Sequence, residues 1–133
     1  MDPMTTPAGT RVAVPADRSA VGASGEDLAC AHLVRQGMVV LDRNWRCPHG
    51  EIDVVARDGT ELVVCEVKTR RSLAHGDPVE AVTAAKVARL RRLAHLWREA
   101  HGVRPGGMRI DVIVVLVRPG APALLRHVIG VGS

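Results

Sequence analysis

The stretch from Gly50 to Lys68, which reads GEIDVVARDGTELVVCEVK, predicts a β-hairpin. Two runs rich in β-branched residues flank Asp58-Gly59, and Asp-Gly between such runs is the strongest short-range hairpin signal. With a two-residue turn at Asp58-Gly59, the register predicts that Val55 faces Leu62 and that Glu51 faces Glu66. Most of the charged residues that suggest a chemical function lie on this hairpin.

The hairpin predicts a cluster of charged side chains on one face of the sheet. Side chains alternate along a strand, so one face receives four of them: Glu51, Asp53, Glu66 and Lys68. Asp53 and Glu66 become diagonal neighbours with Cβ atoms about 7 Å apart, and a single oxygen-binding cation can be shared across that gap. Acids on a strand are more often a solvated face. Here the same face carries Val55, Leu62 and Val64, and opposed like charges are destabilising without a cation between them.

Lys68 stands out by composition. The chain has 18 basic residues, and Lys68 and Lys86 are its only lysines. A compact ammonium can sit beside a water or a phosphoryl oxygen in a way that the planar guanidinium of arginine cannot. The bias toward arginine therefore suggests a specific role for Lys68, although two lysines are also compatible with chance.

The bulk composition indicates one cytoplasmic domain with an aliphatic core. The chain has 133 residues, is 47% hydrophobic and contains neither Phe nor Tyr. A net charge of +4 favours an anionic partner. Three cysteines without CxxC spacing suggest neither a disulfide framework nor a zinc site. The start lacks the features of a signal peptide, and the longest apolar run, 112–117, is too short to span a membrane. The oligomeric state stays open, a homodimer included.

The pattern along the chain predicts an α/β domain at 23–133 behind a flexible N-terminal arm at 1–22. Ser24 and Asp27 form a capping-box pattern that begins the first helix, whose inward face is predicted to be Ala29, Cys30, Leu33 and Val34. Asp77-Pro78-Val79-Glu80 begins the second helix. The elements follow in the order helix 24–36, strand 38–42, the hairpin, helix 77–101, strand 109–117 and a further strand at 124–129. This order favours one mixed sheet flanked by helices.

Several other charged residues have a functional and a structural interpretation. Glu26 either supports the site or complements the helix dipole, and Glu51 is a ligand, a supporting group or a solvated strand start. Lys86 lies in the apolar stripe of the second helix, where extension of its side chain to solvent is the favoured interpretation. The arginines are more often solvated but become candidate phosphate contacts beside a metal site: Arg70, Arg71, Arg89, Arg91, Arg92 and Arg98. His49 and His75 carry little weight.

At these residues the sequence resembles the YraN-like family of proposed endonucleases, over about residues 23–130. The resemblance rests on the following blocks: Gly25-Glu26, Arg43-Asn44, Gly50–Ala56, Glu66–Arg70, Ala81-Val82 with Lys86, and Arg109–Val112. That family is similar to Holliday-junction resolvases and other PD-(D/E)XK nucleases with a restriction-endonuclease-like αβββαβ core. The resemblance implies that Asp53 and Glu66 hold Mg²⁺ or Mn²⁺, with Lys68 at the attacking water and Glu26 in support. It also implies that Glu51, Thr69 and Arg70 lie near the scissile phosphate.

The sequence therefore predicts a metal-dependent endonuclease that hydrolyses DNA phosphodiesters, with branched or repair intermediates among the candidate substrates. The alternative is a nucleic-acid-binding or repair-accessory protein that keeps the nuclease fold with little or no turnover. A carboxylate metal site that serves stability alone is a third hypothesis, and it would not explain Lys68. The joint presence of Asp53, Glu66 and Lys68 favours the enzyme, since a binding module does not need two carboxylates near a phosphate.

Overall fold

The computed structural model describes residues 10–14 and 24–132, and it shows a mixed sheet with a helix on each face. The strand order is β1-β6-β5-β4-β3-β2; β4 and β5 are parallel and all other neighbours are antiparallel. The strands are β1 (Thr10–Val14), β2 (Val39–Cys47), β3 (Gly50–Asp58), β4 (Glu61–Arg70), β5 (Gly107–Leu116) and β6 (Ala123–Val128). The helices are α1 (Gly25–Arg35) and α2 (Ala84–His101), with a 3₁₀ turn at Pro78–Ala81. The α/β class and the element order from α1 to β6 agree with the sequence prediction.

Strand β1 was not part of the sequence prediction. Thr10 pairs with His127 and Val14 with Ala123, so β1 adds an antiparallel edge strand to β6. It lies within the stretch 1–22 that was predicted to be a flexible arm, and the other residues of that stretch lie outside the described residues. The prediction missed β1 because a five-residue edge strand depends on pairing with β6 rather than on a local pattern.

The predicted hairpin is present, but its register was wrong by two residues. Asp58 pairs with Glu61, so the two-residue turn is Gly59-Thr60, and Val55 faces Val64 rather than Leu62. Gly59 has φ 61°, a left-handed conformation that glycine adopts without strain. A shift of two residues preserves the alternation of faces. Glu51 therefore does not lie opposite Glu66, contrary to the prediction. Continuing the observed register places Asp53 opposite Glu66.

The two faces of the sheet bury two separate cores. Helix α1 contributes Leu28, Ala29 and Leu33 to one core, where they pack with buried strand residues such as Cys65 and Ile113. Helix α2 contributes Leu90, Leu93 and Trp97 to the other, where they pack with residues such as Val64 and Val112. The faces of β4 therefore serve different helices, and the α2 face is the one that continues toward Glu66.

The first helix begins as predicted. Ser24 Oγ accepts from the Asp27 N–H at 3.2 Å, and Asp27 Oδ2 accepts from the Ser24 N–H at 3.1 Å. The predicted inward face was partly wrong, because Val34 is 58% exposed whereas Leu28 and His32 are buried. The strand that follows was predicted too short. It extends to Cys47 and forms a second hairpin with β3. The sequence does not show this extension clearly, because charged residues such as Arg43 and Arg46 interrupt the apolar pattern.

The second helix is divided, contrary to the single helix predicted over 77–101. The Asp77 carboxylate caps only the 3₁₀ turn at Pro78–Ala81, by accepting from the Val79 N–H at 3.0 Å. Thr83 Oγ1 then accepts from the Lys86 N–H at 3.2 Å and begins α2, so Lys86 lies in the first turn. Gly102, with φ 65°, ends α2 as predicted. No helix within the described residues has the length and apolar character needed to cross a membrane.

Candidate active site

The centre of the candidate site is Glu66, at the end of the buried run in β4. Its side chain is only 9% exposed, and its Oε2 atom lies 3.2 Å from Lys68 Nζ and 3.5 Å from Lys86 Nζ. Lys68 comes from the same strand, two residues on, and Lys86 comes from the first turn of α2. The only two lysines of the chain therefore meet at one carboxylate oxygen. The favoured interpretation of Lys86 as a lysine that extends to solvent was wrong.

Asp53 lies where β3 and β4 separate. The β3–β4 pairing ends at Val54 and Cys65, and the Val67 N–H instead donates to Asp53 Oδ2 at 2.8 Å. Alternation in β3 is interrupted at the same point, since Ile52 packs in the core under α2 and Val54 in the core under α1. The carboxylate of Asp53 thus takes the place of a strand carbonyl as acceptor, which fixes it beside the backbone that carries Glu66.

The electrostatics of Asp53 show that acidic groups converge here. Burial raises the pKa of Asp53 to about 6; the Val67 N–H opposes the shift, and the charges of Glu66, Glu26 and Glu51 add to it. Removing a carboxylate from water and placing it near like charges both disfavour its ionised form. A cation bound at this position would reverse that penalty.

The two supporting acids occupy different environments. Glu26, in the first turn of α1, is 26% exposed and lies 3.7 Å from the guanidinium of Arg43. Glu51 is 46% exposed and lies 2.9 Å from Arg46 Nε on the neighbouring strand. Both acids act on the site electrostatically, because the negative charge of each raises the pKa of Asp53. Glu51 does not join Glu66 directly, contrary to the predicted face-to-face pair.

The first turn of α1 is held close to the strand that carries Lys68. A Cβ atom at Gly25 would lie 1.8 Å from Thr69 Oγ1 and 2.9 Å from Thr69 Cβ. No real Cβ can approach so closely, so only glycine fits at this position. The close contact between Gly25 and Thr69 brings Glu26 toward Asp53, and the sequence pattern Gly25-Glu26 has its physical explanation here.

The candidate phosphate-binding arginines lie on the two elements that carry the lysines, β4 and α2. Arg70 and Arg71 are exposed at the end of β4, and the Arg70 guanidinium donates to Thr69 O at 2.9 Å. On α2, Arg92 is exposed and Arg91 half-buried, and within the described residues neither forms an ion pair. His49 and His75 are exposed in loops.

The donor set suits a hard divalent cation that keeps several waters. Within the described part of the chain, Asp53 Oδ1 and Glu66 Oε1 form no hydrogen bond or ion pair, so each acid retains one oxygen as a ligand. Among residues 24–132, no group of three His, Cys, Asp or Glu side chains is positioned to hold a metal. Mg²⁺ is commonly bound through one or two carboxylates with water and substrate phosphate completing the shell. Two oxygens from Asp53 and Glu66 fit that requirement.

A second polar network lies buried on the opposite side of the sheet, and the sequence did not predict it. Asp111 Oδ2 lies 2.7 Å from His127 Nε2, and His127 Nδ1 lies 3.0 Å from His32 Nε2. Arg109 donates to Asp111 at 3.0 Å and also pairs with Asp58 and Glu61. Only the Arg109-Ile110-Asp111 block offered a signal, because His127 and His32 approach it through the tertiary fold.

The protonation states in this network follow from burial and partners. Burial lowers the pKa of His32 to about 4, with smaller contributions from His127 and Arg35, so His32 is neutral. Burial alone would raise the pKa of Asp111, but bonds from His127, Arg109 and the Gly130 N–H outweigh it and lower the pKa. The network is therefore a buried anion held by Arg109, and it ties α1 to β5 and β6.

These features define the class of protein: an α/β domain whose mixed sheet presents a carboxylate–lysine cluster between two strands and the first turn of a helix. The chain belongs to UPF0102, described as an uncharacterised protein family, whose model matches residues 25–115. The resemblance to the YraN-like family is thereby confirmed at the level of the family.

The relatives match nearly the whole chain. It is 58% identical to a UPF0102 protein of Kineococcus radiotolerans over 115 residues, which are 86% of this chain and 94% of that relative. It is 54% identical to one from a Nocardioides species over 123 residues, 92% of this chain and 99% of the relative. It is 56% identical to one from Streptomyces griseus over 116 residues, 86% of this chain and 97% of the relative. The names of these relatives state no activity.

Proposed function

We propose that this chain is a metal-dependent endonuclease of the cytoplasm that hydrolyses DNA phosphodiester bonds, with a restriction-endonuclease-like core. The observation that carries the proposal is that Asp53 binds the backbone N–H of Val67, the residue between Glu66 and Lys68, at the point where the two strands separate, while the Lys68 ammonium lies 3.2 Å from Glu66. Within the described residues, Asp53 Oδ1 and Glu66 Oε1 have no protein partner. That arrangement is suited to a cation and a phosphate.

Each residue of the cluster has a distinct role in this proposal. Asp53 and Glu66 would hold Mg²⁺ or Mn²⁺, which when bound supplies a positive charge for the phosphoryl oxygens and a water of lowered pKa. Lys68 donates hydrogen bonds to the attacking water oxygen and stabilises it as hydroxide. Glu26 and Glu51 add negative charge that strengthens cation binding without contacting Glu66.

The reaction that these groups serve is an in-line displacement at phosphorus. The water oxygen bonds to phosphorus as one ester P–O bond breaks, and the proton lost by water ends on the leaving oxygen. One product carries a phosphate monoester and the other a hydroxyl group. Because negative charge accumulates on the phosphoryl oxygens in the transition state, fixed cations around the phosphorus are the main requirement for catalysis.

The charge distribution supports a nucleic-acid substrate. The chain carries a net charge of +4. Arg70 and Arg71 follow Lys68 on β4, and Arg91 and Arg92 lie on α2 beyond Lys86. Glu99 is the only acidic residue in α2, and it lies in the last turn. These arginines are candidate contacts for the phosphate groups of a DNA strand.

The direct test is cleavage of a panel of branched, flapped, single-stranded and linear DNAs in the presence of Mg²⁺ or Mn²⁺. Cleavage of at least one substrate is expected, and it should be abolished by chelation, by Asp53→Asn and by Glu66→Gln. Glu66→Gln is also expected to bind DNA at least as tightly as the unmodified protein, because it removes a negative charge from a phosphate site. A panel without any metal-dependent cleavage would favour the alternative of a nucleic-acid-binding or repair-accessory protein.

Metal binding can be measured separately from cleavage. A ligand that binds only the folded state raises the melting temperature. Millimolar Mn²⁺ is therefore expected to stabilise the unmodified protein and to have little effect on Asp53→Asn. An equal shift in both proteins would place the metal elsewhere and remove Asp53 from the site.

A further inference from the structure

Glu66 has two lysine partners, and only one of them comes from its own strand. Lys68 already lies 3.2 Å from Glu66 Oε2, yet Lys86 arrives at 3.5 Å from a different element. The Thr83 cap fixes the first turn of α2 and so fixes where the Lys86 side chain starts. Convergence of both ammonium groups on the same oxygen gives Glu66 two counter-ions.

The two lysines balance the two proposed ligand carboxylates in formal charge when no metal is bound. Both ammonium groups lie at Glu66 Oε2, and the Asp53 carboxylate beside that strand is bound to the Val67 N–H. A divalent cation bound to the same carboxylates leaves the cluster with an excess of positive charge, and like charges a few ångströms apart repel. One ammonium must then give up its favourable interaction with Glu66 or find another anion.

Lys86 is the ammonium that can leave. It is 31% exposed and attached through a flexible four-carbon stem at the start of a helix, whereas Lys68 is 23% exposed and shares the rigid strand of Glu66. Beyond Lys86, every charged side chain of the helix is basic until its last turn. Because Lys86 is 31% exposed and Glu66 only 9%, a phosphate that approaches from solvent reaches Lys86 more readily than Glu66.

We propose that Lys86 is an internal counter-ion of Glu66 that competes with the divalent cation and, when the cation binds, transfers its charge to the substrate phosphate. This inference rests on the proposed function and adds a role for α2: metal binding and phosphate binding are coupled through one side chain. The Lys86 charge weakens the affinity for the metal when no substrate is present. When substrate is present, Lys86 pairs with the phosphate and no longer opposes the metal. The metal therefore binds more weakly to the free protein than to the protein with bound substrate.

The test is calorimetric titration of MnCl₂ into the full-length protein without DNA, compared between the unmodified chain and Lys86→Met. Lys86→Met keeps most of the stem and removes the charge. The variant is expected to bind Mn²⁺ about fivefold more tightly or better, the effect of removing one charge at about 4 Å. In single-turnover cleavage the same variant is expected to be slower by about tenfold or more, because the phosphate is deprived of a charge-assisted hydrogen bond.

Two matched variants separate this effect from others. Arg89→Met removes one positive charge from the next turn of the same helix, where the side chain is exposed and has no ion pair within the described residues, so its Mn²⁺ affinity should stay near that of the unmodified chain. Lys86→Arg keeps the charge and should also keep the weaker affinity. Circular dichroism and melting curves establish that each variant is folded.

The outcomes distinguish the inference from the proposed function. Mn²⁺ binding to the unmodified chain with equal or weaker binding to Lys86→Met would overturn the counter-ion role and leave the proposed metal site intact. Equal tightening by Arg89→Met would also overturn it, since a general charge effect would then suffice. Failure of both the unmodified chain and Lys86→Met to bind Mn²⁺ would overturn the metal site and this inference together.

Discussion

Lys68 and Lys86 show how two residues of one type differ by position. Both meet Glu66 Oε2, but Lys68 is held by β4 and Lys86 by the first turn of α2. Their compact ammonium groups can share one carboxylate oxygen, which two planar guanidinium groups would do less readily. At the residue scale, the site therefore depends on side-chain shape as well as on charge.

Replacing Lys68 should separate catalysis from binding. Lys68→Ala and Lys68→Arg are both expected to slow single-turnover cleavage by about 10²-fold or more, because neither restores an ammonium beside the attacking water. DNA affinity should fall only slightly, since the arginines provide most of the attraction. Binding isotherms measured with the cleavage rates check this. Near-normal cleavage by Lys68→Arg would refute the special role of lysine.

Buried His32 and half-buried Asp53 should give opposite contributions to stability in acid. The pKa of His32 is lowered from 6.5 to about 4, so the unfolded chain gains a proton first and stability falls as pH drops through that range. The pKa of Asp53 is raised from 3.8 to about 6, so the folded chain gains a proton first and stability rises as pH falls through that range. The two effects overlap and partly cancel in the unmodified protein.

Urea unfolding at several pH values between about 4 and 6.5 can separate them, with metal excluded by chelation. Asp53→Asn removes the contribution that favours the folded state in acid, so its stability should fall more steeply with decreasing pH. His32→Gln removes the opposing contribution and should show a shallower fall. Identical slopes in all three proteins would mean that neither group has the shifted pKa.

At the scale of elements, the approach of α1 to β4 sets the geometry of the site. Gly25 is the first residue of α1 and is buried against Thr69, one residue after Lys68. The capping box at Ser24 begins the helix at a fixed residue, so a displacement of Gly25 would move Glu26 with it. The same helix is tied to the far side of the sheet by His32 and His127.

Gly25→Ala should therefore destabilise the protein, although alanine has the higher helix propensity. The added Cβ would lie 1.8 Å from Thr69 Oγ1, and overpacking of this kind costs about 1–3 kcal/mol. Gly107→Ala is a matched control, because its Cβ would lie 3.4 Å from the nearest atom, the flexible end of Glu61. Urea unfolding of both variants measures the difference. Equal stability of Gly25→Ala and the unmodified chain would contradict the close packing.

At the scale of the whole molecule, positive charge is distributed unevenly around the sheet. Arg109, near the start of β5, is neutralised by Asp58, Glu61 and Asp111, and Arg126 pairs with Asp77. The arginines of α2 have no such partners within the described residues. The arginines of α2 are therefore available to an anionic partner.

Neutralising Arg91 and Arg92 together should weaken DNA binding and reduce its dependence on salt. The slope of log affinity against log salt is expected to fall by about one unit for each phosphate that an arginine no longer neutralises. Arg35→Gln with Arg104→Gln makes the same change in net charge at the end of α1 and in the loop after α2. A similar decrease of slope in that control would show that net charge, rather than the α2 surface, governs binding.

The sequence by itself determined the hairpin, the order of elements from α1 to β6 and the candidate residues Asp53, Glu66 and Lys68. Alternating side chains, the Asp-Gly signal and the Ser24 cap are local properties that neighbouring residues fix. Val55, Leu62 and Val64 kept their predicted common face despite an error of two residues in the register, because side-chain direction repeats every second residue. The predicted face did not extend to Glu51, because alternation in β3 is interrupted between Ile52 and Val54.

Only the tertiary structure decided what depends on the approach of distant segments. The pairing of β1 with β6, the contact of Lys86 with Glu66 and the chain from Asp111 through His127 to His32 all join residues far apart in sequence. The division of the predicted second helix at Thr83 was also decided by the tertiary structure, and it places Lys86 in the first turn of α2. Such contacts are selected by the packing of α1 and α2 on opposite faces of the sheet, and no local pattern records that choice.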